Sequence, residues 1–164
     1  MEDNKNTFRP MRRIKQQVSE EECRKILKEE KRCVLSVHGD HGYPYGLPFD
    51  FYYNEENHKI YFHCAKVGHK IDALKADPKV SFCTWDKGFQ KPGDWVWNVT
   101  SVICFGTIRF MEKDSFSKEM CRALGRKYYP NSEDVEVELD KAYDRVQMLE
   151  LTIDHMTGKL VNES

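Results

Sequence analysis

Tyr43-Pro44-Tyr45-Gly46-Leu47-Pro48-Phe49-Asp50-Phe51-Tyr52-Tyr53 decides the fold class, because large apolar or aromatic residues fill every second position from Tyr43 to Tyr53. A two-residue period places one set of side chains on one face of a strand. Pro44 and Pro48 remove two ladder donors, so this strand belongs at a sheet edge, at a bulge, or where a ligand replaces a neighbouring strand. Asn54-Glu55-Glu56-Asn57 closes a hairpin into Lys59-Ile60-Tyr61-Phe62-His63. Upstream, Cys33-Val34-Leu35-Ser36-Val37 reads as a strand and His38-Gly39-Asp40-His41-Gly42 as a turn. Downstream come Val80 to Trp85, then Val99 to Met111 with Gly106 as a kink or bulge, then Val146 to Ile153. Met156-Thr157-Gly158-Lys159 is expected to turn the chain back.

Helical signals are fewer. Ser19-Glu20-Glu21-Glu22 is a capping box, and Cys23, Ile26 and Leu27 follow at helical spacing, giving a helix to about Lys31. A short helix runs from Gly68 through Ala76, stopped by Pro78, and Asp114 caps a third that ends near Tyr129-Pro130. Asp86 to Asp94 reads as a loop, and the acidic run Glu133, Asp134, Glu136, Glu138, Asp140 as a solvated face. Strands joined by short connections exclude parallel βαβ winding. The expectation is a mainly β protein with flanking helices: a six-stranded antiparallel split β-barrel forming one domain over 1–164, with 1–17 as an N-terminal arm.

Charge narrows the function classes. Lys and Arg number 26 against 27 Asp and Glu, for a net charge of −1, so no field favours nucleic acid or acidic membranes. No apolar run approaches the roughly 18–20 residues of a membrane span, and Met1-Glu2-Asp3-Asn4-Lys5 lacks a signal-peptide core. A cytoplasmic location is expected. The six cysteines are scattered without a C-x-x-C pair, which argues against a metal cluster and for buried thiols.

Chemistry concentrates in Ile60-Tyr61-Phe62-His63-Cys64-Ala65-Lys66-Val67-Gly68-His69-Lys70-Ile71-Asp72. A strand ends, a loop with glycine follows, and a helix opens with His69 and Lys70 in its first turn. Free amides at a helix N-terminus attract anions. Basic residues at that end oppose the helix dipole unless an anion sits there. Gly68 lets the backbone approach a phosphate closely. A solvated turn carrying His and Lys is the plainer alternative.

These residues resemble the pyridoxamine 5′-phosphate oxidase-like flavoproteins, and within them the 5-nitroimidazole resistance proteins, or nitroimidazole reductases. Three segments carry the resemblance, which spans about Met11 to Lys159: Gly42 to Phe51, Phe62 to Lys70 with Leu74 to Val80, and Ser101 to Gly106. It implies that the first segment, through Leu47, Pro48, Phe49 and Asp50, lies along a flavin ring. It places His63, Cys64, Gly68, His69 and Lys70 at the flavin and its phosphate, and Ser101 on a flavin-contacting strand. It implies FMN as cofactor, with FAD sometimes accommodated, and a homodimer that builds the site between subunits. Two oxidase arginines fall at Leu47 and His69, and the segment gripping the vitamin phosphate has no match, so oxidation of pyridoxine phosphate is not expected. The implied activity is reduction of a small organic acceptor such as a nitroaromatic, with the flavin performing the redox step. His63 is the candidate for orienting or protonating that acceptor; a structural histidine is the alternative. Trp85, Trp95 and Trp97 are core, ring-stacking or interface residues. Two other readings stay open: a non-catalytic flavin carrier or redox sensor, and a haem-binding relative with an axial histidine.

Overall fold

Ser19 starts the first helix, α1 (Glu20–Glu29), by accepting a hydrogen bond from the Glu22 amide at 3.1 Å. That helix buries Cys23, Ile26 and Leu27 against the sheet. The computed structural model describes residues 8–162; the first seven residues of the expected arm lie outside the described residues. The rest of the arm runs beside the C-terminal strand, where Gln17 bridges to Lys159 and the Val18 amide donates to the Gly158 carbonyl at 3.0 Å.

The strands are β1 (Cys33–His38), β2 (Pro44–Phe49), β3 (Tyr52–Asn54), β4 (Lys59–Ala65), β5 (Lys79–Trp85), β6 (Phe89–Gln90), β7 (Trp97–Phe110) and β8 (Val146–Val161). The remaining helices are α2 (His69–Ala76), α3 (Ser115–Tyr128) and α4 (Ser132–Ala142). All pairings are antiparallel, in the order β2-β1-β5-β7-β8-β4-β3, with β6 on β7. The two ends of this path, Phe49 and Tyr52, are only three residues apart in the chain, a reach of about 10 Å. The sheet therefore curls until its edges approach, as the split barrel requires.

Inside lie Leu35, Leu47, Phe51, Phe62, Phe82 and Leu149, with Phe51 edge-on to Phe82 at 5.0 Å. Gly106 does mark a bulge: the β7–β8 register shifts between Phe105 and Gly106, leaving Asp154 unpaired on β8. A Cβ at Gly106 would collide with the Thr152 carbonyl oxygen. Gly106→Ala is expected to cost about 1–3 kcal/mol; urea unfolding showing a loss under about 0.5 kcal/mol would mean the bulge relaxes freely.

Three expectations need correction. Among the described residues the strand count is eight rather than six, because the aromatic stretch breaks at Asp50-Phe51, passing from one sheet edge to the other, and β6 adds one more. Phe51 is gripped there: its amide donates to the Tyr128 hydroxyl at 2.9 Å, and Lys127 Nζ donates to its carbonyl at 3.0 Å. Met156-Thr157-Gly158-Lys159 does not turn but continues β8 opposite Cys104 to Ser101; Gly158 is there because Cys23 and Val18 pack over it. The Asp86 to Asp94 loop contains the short strand β6. The acidic run is the solvated face of α4, with Glu133, Asp134, Glu138 and Asp140 exposed, while Val135 and Leu139 are buried on the other side of the same helix. Among the described residues no helix is long and apolar enough to cross a membrane.

Candidate functional site

Strand β2 is a free edge, and its prolines decide what that edge offers. The Gly39 amide donates to the Tyr43 carbonyl at 2.9 Å, continuing the β1–β2 register. The hydrogen-bonded pairs are therefore Val37/Tyr45, Leu35/Leu47 and Cys33/Phe49. Pro44, Gly46 and Pro48 turn their backbone groups outward, so the edge presents three carbonyls and one donor, the Gly46 amide. This blunts the edge against pairing with another strand while leaving acceptors for a polar ligand.

The N-terminus of α2 meets this edge. His69 stacks on Tyr45 with centroids 4.3 Å apart, and Lys70 Nζ lies 5.0 Å from the Phe49 ring centre. Gly68, at φ 126°, is the N-cap; no side chain caps the helix, and a Cβ there would meet nothing within 4 Å. The His69 and Lys70 amides have no hydrogen-bond partner among the described residues, whereas the Ile71 amide donates to the Gly68 carbonyl at 2.9 Å, and Lys70 has no ion-pair partner among those residues. Uncapped amides with an adjacent unpaired ammonium form an anion site. His69 differs. The Asp40 amide donates to its Nε2 at 3.3 Å, and the Asp40 carboxylate lies 3.6 Å from the same nitrogen. Lys70 is the cation left free for an anion.

The face that each β4 residue takes separates the remaining candidates. Ile60, Phe62 and Cys64 point into the core. Tyr61 and His63 point outward, Tyr61 packing with Met111, Met120 and Met148 beneath α3. Burial pushes the Cys64 thiol up, against a smaller opposing effect of Lys70, so it is packing rather than a nucleophile. His63 keeps one side open to a cavity of about 710 Å³ between β4, α3 and α4. Crowding by protein, with nearby Lys70 adding to it, holds its imidazole below the ordinary histidine range. Both effects favour the uncharged imidazole.

Phe49, Asp50, His63, Gly68, His69 and Lys70 therefore converge where β2 passes to β3 and β4 passes to α2. Leu47 lies in the core, while Pro48 is exposed on the outer face. Asp50 is ion-paired with Arg32. Ser101 is not part of this convergence. It lies on β7, three strands from β2, on the outer face between Trp85 and Lys159. Sequence reasoning missed Tyr45, Asp40 and the α4 wall of the cavity. Only the last had a signal: Val135 and Leu139 at i, i+4 behind Asn131, whose side chain caps α4.

The family model for pyridoxamine 5′-phosphate oxidase matches residues 19–160, most of the chain. The chain belongs to the pyridoxamine 5′-phosphate oxidase family. Three solved structures share the fold of this family member. A candidate 5-nitroimidazole antibiotic resistance protein from Bacteroides thetaiotaomicron is 19% identical, with a TM-score of 0.73 over 89% of this chain and 87% of that one. A FAD-binding protein from Mesorhizobium loti is 19% identical, with a TM-score of 0.62 over 88% and 96%. The FAD and heme binding protein of Mycobacterium smegmatis is 19% identical, with a TM-score of 0.71 over 91% and 74%. No curated protein matches the chain.

Proposed function

We propose that this family member binds FMN, or FAD in its place, and reduces a small organic acceptor of the nitroaromatic type. The observation that carries the reading is the uncapped α2 N-terminus with unpaired Lys70, set against the free edge of β2 and beside His63. The flavin-binding names of two solved relatives support the cofactor class, and the name of the third supports the acceptor.

The residues fit a flavin phosphate by charge and by space: open amides at the glycine cap and one free ammonium. When bound, reduced flavin supplies the two electrons that, with two protons, convert a nitro group to nitroso and water. Lys70 and the α2 amides hold the phosphate. Phe49 and the carbonyl-rich β2 edge lie where they can line the ring. His63, whose uncharged form is favoured, orients a nitro oxygen through its ring N–H.

The test is anaerobic: reduce the bound flavin with dithionite, mix with a 5-nitroimidazole, and follow the return of oxidised-flavin absorbance. Reoxidation well above the rate of free reduced FMN is expected, falling about 10²-fold in His63→Ala, the loss that follows removal of one positioned donor to developing charge. A rate equal to that of free FMN would leave a carrier. A fast rate untouched in His63→Ala would remove His63 from the mechanism. A Soret band in the purified protein's spectrum would favour haem instead.

The proposed assembly is a homodimer. Trp85 (49% exposed), Trp97 (53%), Ile103 (39%) and Phe105 (44%) share the outer face of β5 and β7 around Ser101. A patch of large exposed apolar side chains marks an interface. The contact of Ser101 from a second copy with this chain's flavin rests on the family resemblance of the Ser101 to Gly106 strand. Light scattering is expected to give twice the 19.4 kDa chain mass; a flavin-loaded monomer would end the idea.

A further inference from the structure

The cavity beside His63 has a chemical character of its own. Helix α4 is held on α3 by Arg122, whose Nε donates to Glu136 at 2.5 Å, and by Arg126, 3.5 Å from the same carboxylate. Gly125 lets the helices close up, since a Cβ there would stand 3.1 Å from Val135. The space left between these helices and β4, about 710 Å³, falls within the roughly 300–1,000 Å³ of small-molecule sites. Its walls are Leu124, Val135, Leu139 and Val146, with His63 among the lining residues. The charges along it are unbalanced. Asp50, Asp134 and Glu138 line it against a single cation, Lys141. Asp50 is neutralised by Arg32, and Lys141 stands 3.7 Å from Glu138. Asp134 makes no ion pair among the described residues and is exposed.

We infer that the cavity between α3, α4 and β4 is the acceptor site and selects flat aromatic molecules that are cationic or neutral over anionic ones, with Asp134 as the specificity-determining residue. This rests on the flavin-dependent reduction proposed above and extends it to substrate class. An apolar slot lined by tyrosines admits an aromatic ring, and the unpaired carboxylate of Asp134 attracts a ligand cation and repels a carboxylate. The anion site at Lys70 and the cation-preferring cavity then meet at His63. An anionic cofactor end and a neutral or cationic acceptor are thereby kept apart.

Three nitrobenzenes of nearly equal shape test this: 4-nitrobenzylamine (cationic at pH 7), 4-nitrobenzyl alcohol and 4-nitrobenzoate. Equilibrium dialysis at low salt should rank them in that order, with the cation bound about fivefold more tightly than the anion, the factor that attraction to one solvent-facing carboxylate and repulsion from it supply together. The preference should collapse toward unity in Asp134→Asn and in 0.5 M salt, where the Debye length is only about 4 Å. The substitution is isosteric and on an exposed position, so folding is not at stake. Ala142→Phe, which narrows the cavity from its lining, should weaken all three ligands with circular dichroism unchanged. Equal binding of amine and benzoate, or a preference that survives Asp134→Asn, overturns the inference. Anaerobic reoxidation by the same three compounds separates it from the reading beneath it. Turnover without charge preference sinks the cavity assignment and keeps the reductase. Charge-selective binding that is lost in Ala142→Phe, with no reoxidation above that of free flavin, keeps the site and sinks the reductase.

Discussion

Lys70→Ala is expected to weaken FMN binding by one to two orders of magnitude, while binding of riboflavin, which lacks the phosphate, stays within about twofold. The contact removed is a charge-assisted one, worth roughly 1.5–3 kcal/mol. Lys70 carries the effect because His69 Nε2 is already engaged by Asp40 while Lys70 has no ion-pair partner among the described residues. His69→Ala should therefore cost much less FMN affinity than Lys70→Ala, acting through the lost stacking on Tyr45. Isothermal titration of the flavin-stripped protein reads all of these. If FMN binds Lys70→Ala as tightly as the parent, the phosphate lies elsewhere; an equal loss for riboflavin would mean the substitution disturbs the ring site.

Glu150→Leu is expected to lower stability by about 2–4 kcal/mol, roughly 5–15 °C in Tm. Glu150 is a carboxylate with only 4% of its side chain exposed, on the outer face of β8. It accepts from Lys59 Nζ at 2.9 Å, Tyr61 Oη at 3.0 Å, and Arg109 Nε and Nη2 at 3.1 Å each. Burial pushes its carboxyl up, but the hydrogen bonds from Lys59, Tyr61 and Arg109 outweigh that and hold it below the ordinary glutamate value of 4.5. A folded-state value below the unfolded one gives stability that is present above about pH 4.5 and lost as pH falls through the folded value. Urea unfolding should thus show parent and variant far apart at pH 7 and converging below pH 4.5. A leucine variant as stable as the parent at pH 7 would show that apolar filling fully offsets the network. A gap independent of pH would show that packing, not charge, was lost.

The two sites differ in how far they could be read along the chain. The phosphate segment was legible because each part of it is local: Gly68, the helix start and Lys70 sit within three residues, and Pro78 ends the helix soon after. The Glu150 network was not, because Lys59, Tyr61 and Arg109 reach it across 91, 89 and 41 residues. The same holds for His63 and Cys64. Alternation says that neighbours point to opposite faces, but not that one face is sealed by the barrel core and the other opens under α3 and α4.

What the amino-acid order determined by itself is everything that depends on neighbours within about four residues. The caps at Ser19 and Asp114 belong here, as do the period of the aromatic strand and the uncapped glycine that opens α2. Each is set by hydrogen bonds, sterics and side-chain spacing that a short peptide already contains. Tertiary structure alone decided that the aromatic stretch breaks at Phe51, where Lys127 and Tyr128 take hold from 76 and 77 positions away. It alone kept Met156 to Lys159 in a strand, because that segment gains a partner in β7, which a local turn propensity cannot offer. It also turned an acidic run into the wall of a cavity, by burying two apolar residues against a helix formed earlier in the chain. Local preferences are worth tenths of a kcal/mol per residue, whereas a paired strand or a buried side chain is worth several times that, so the long-range contacts prevail wherever the two disagree.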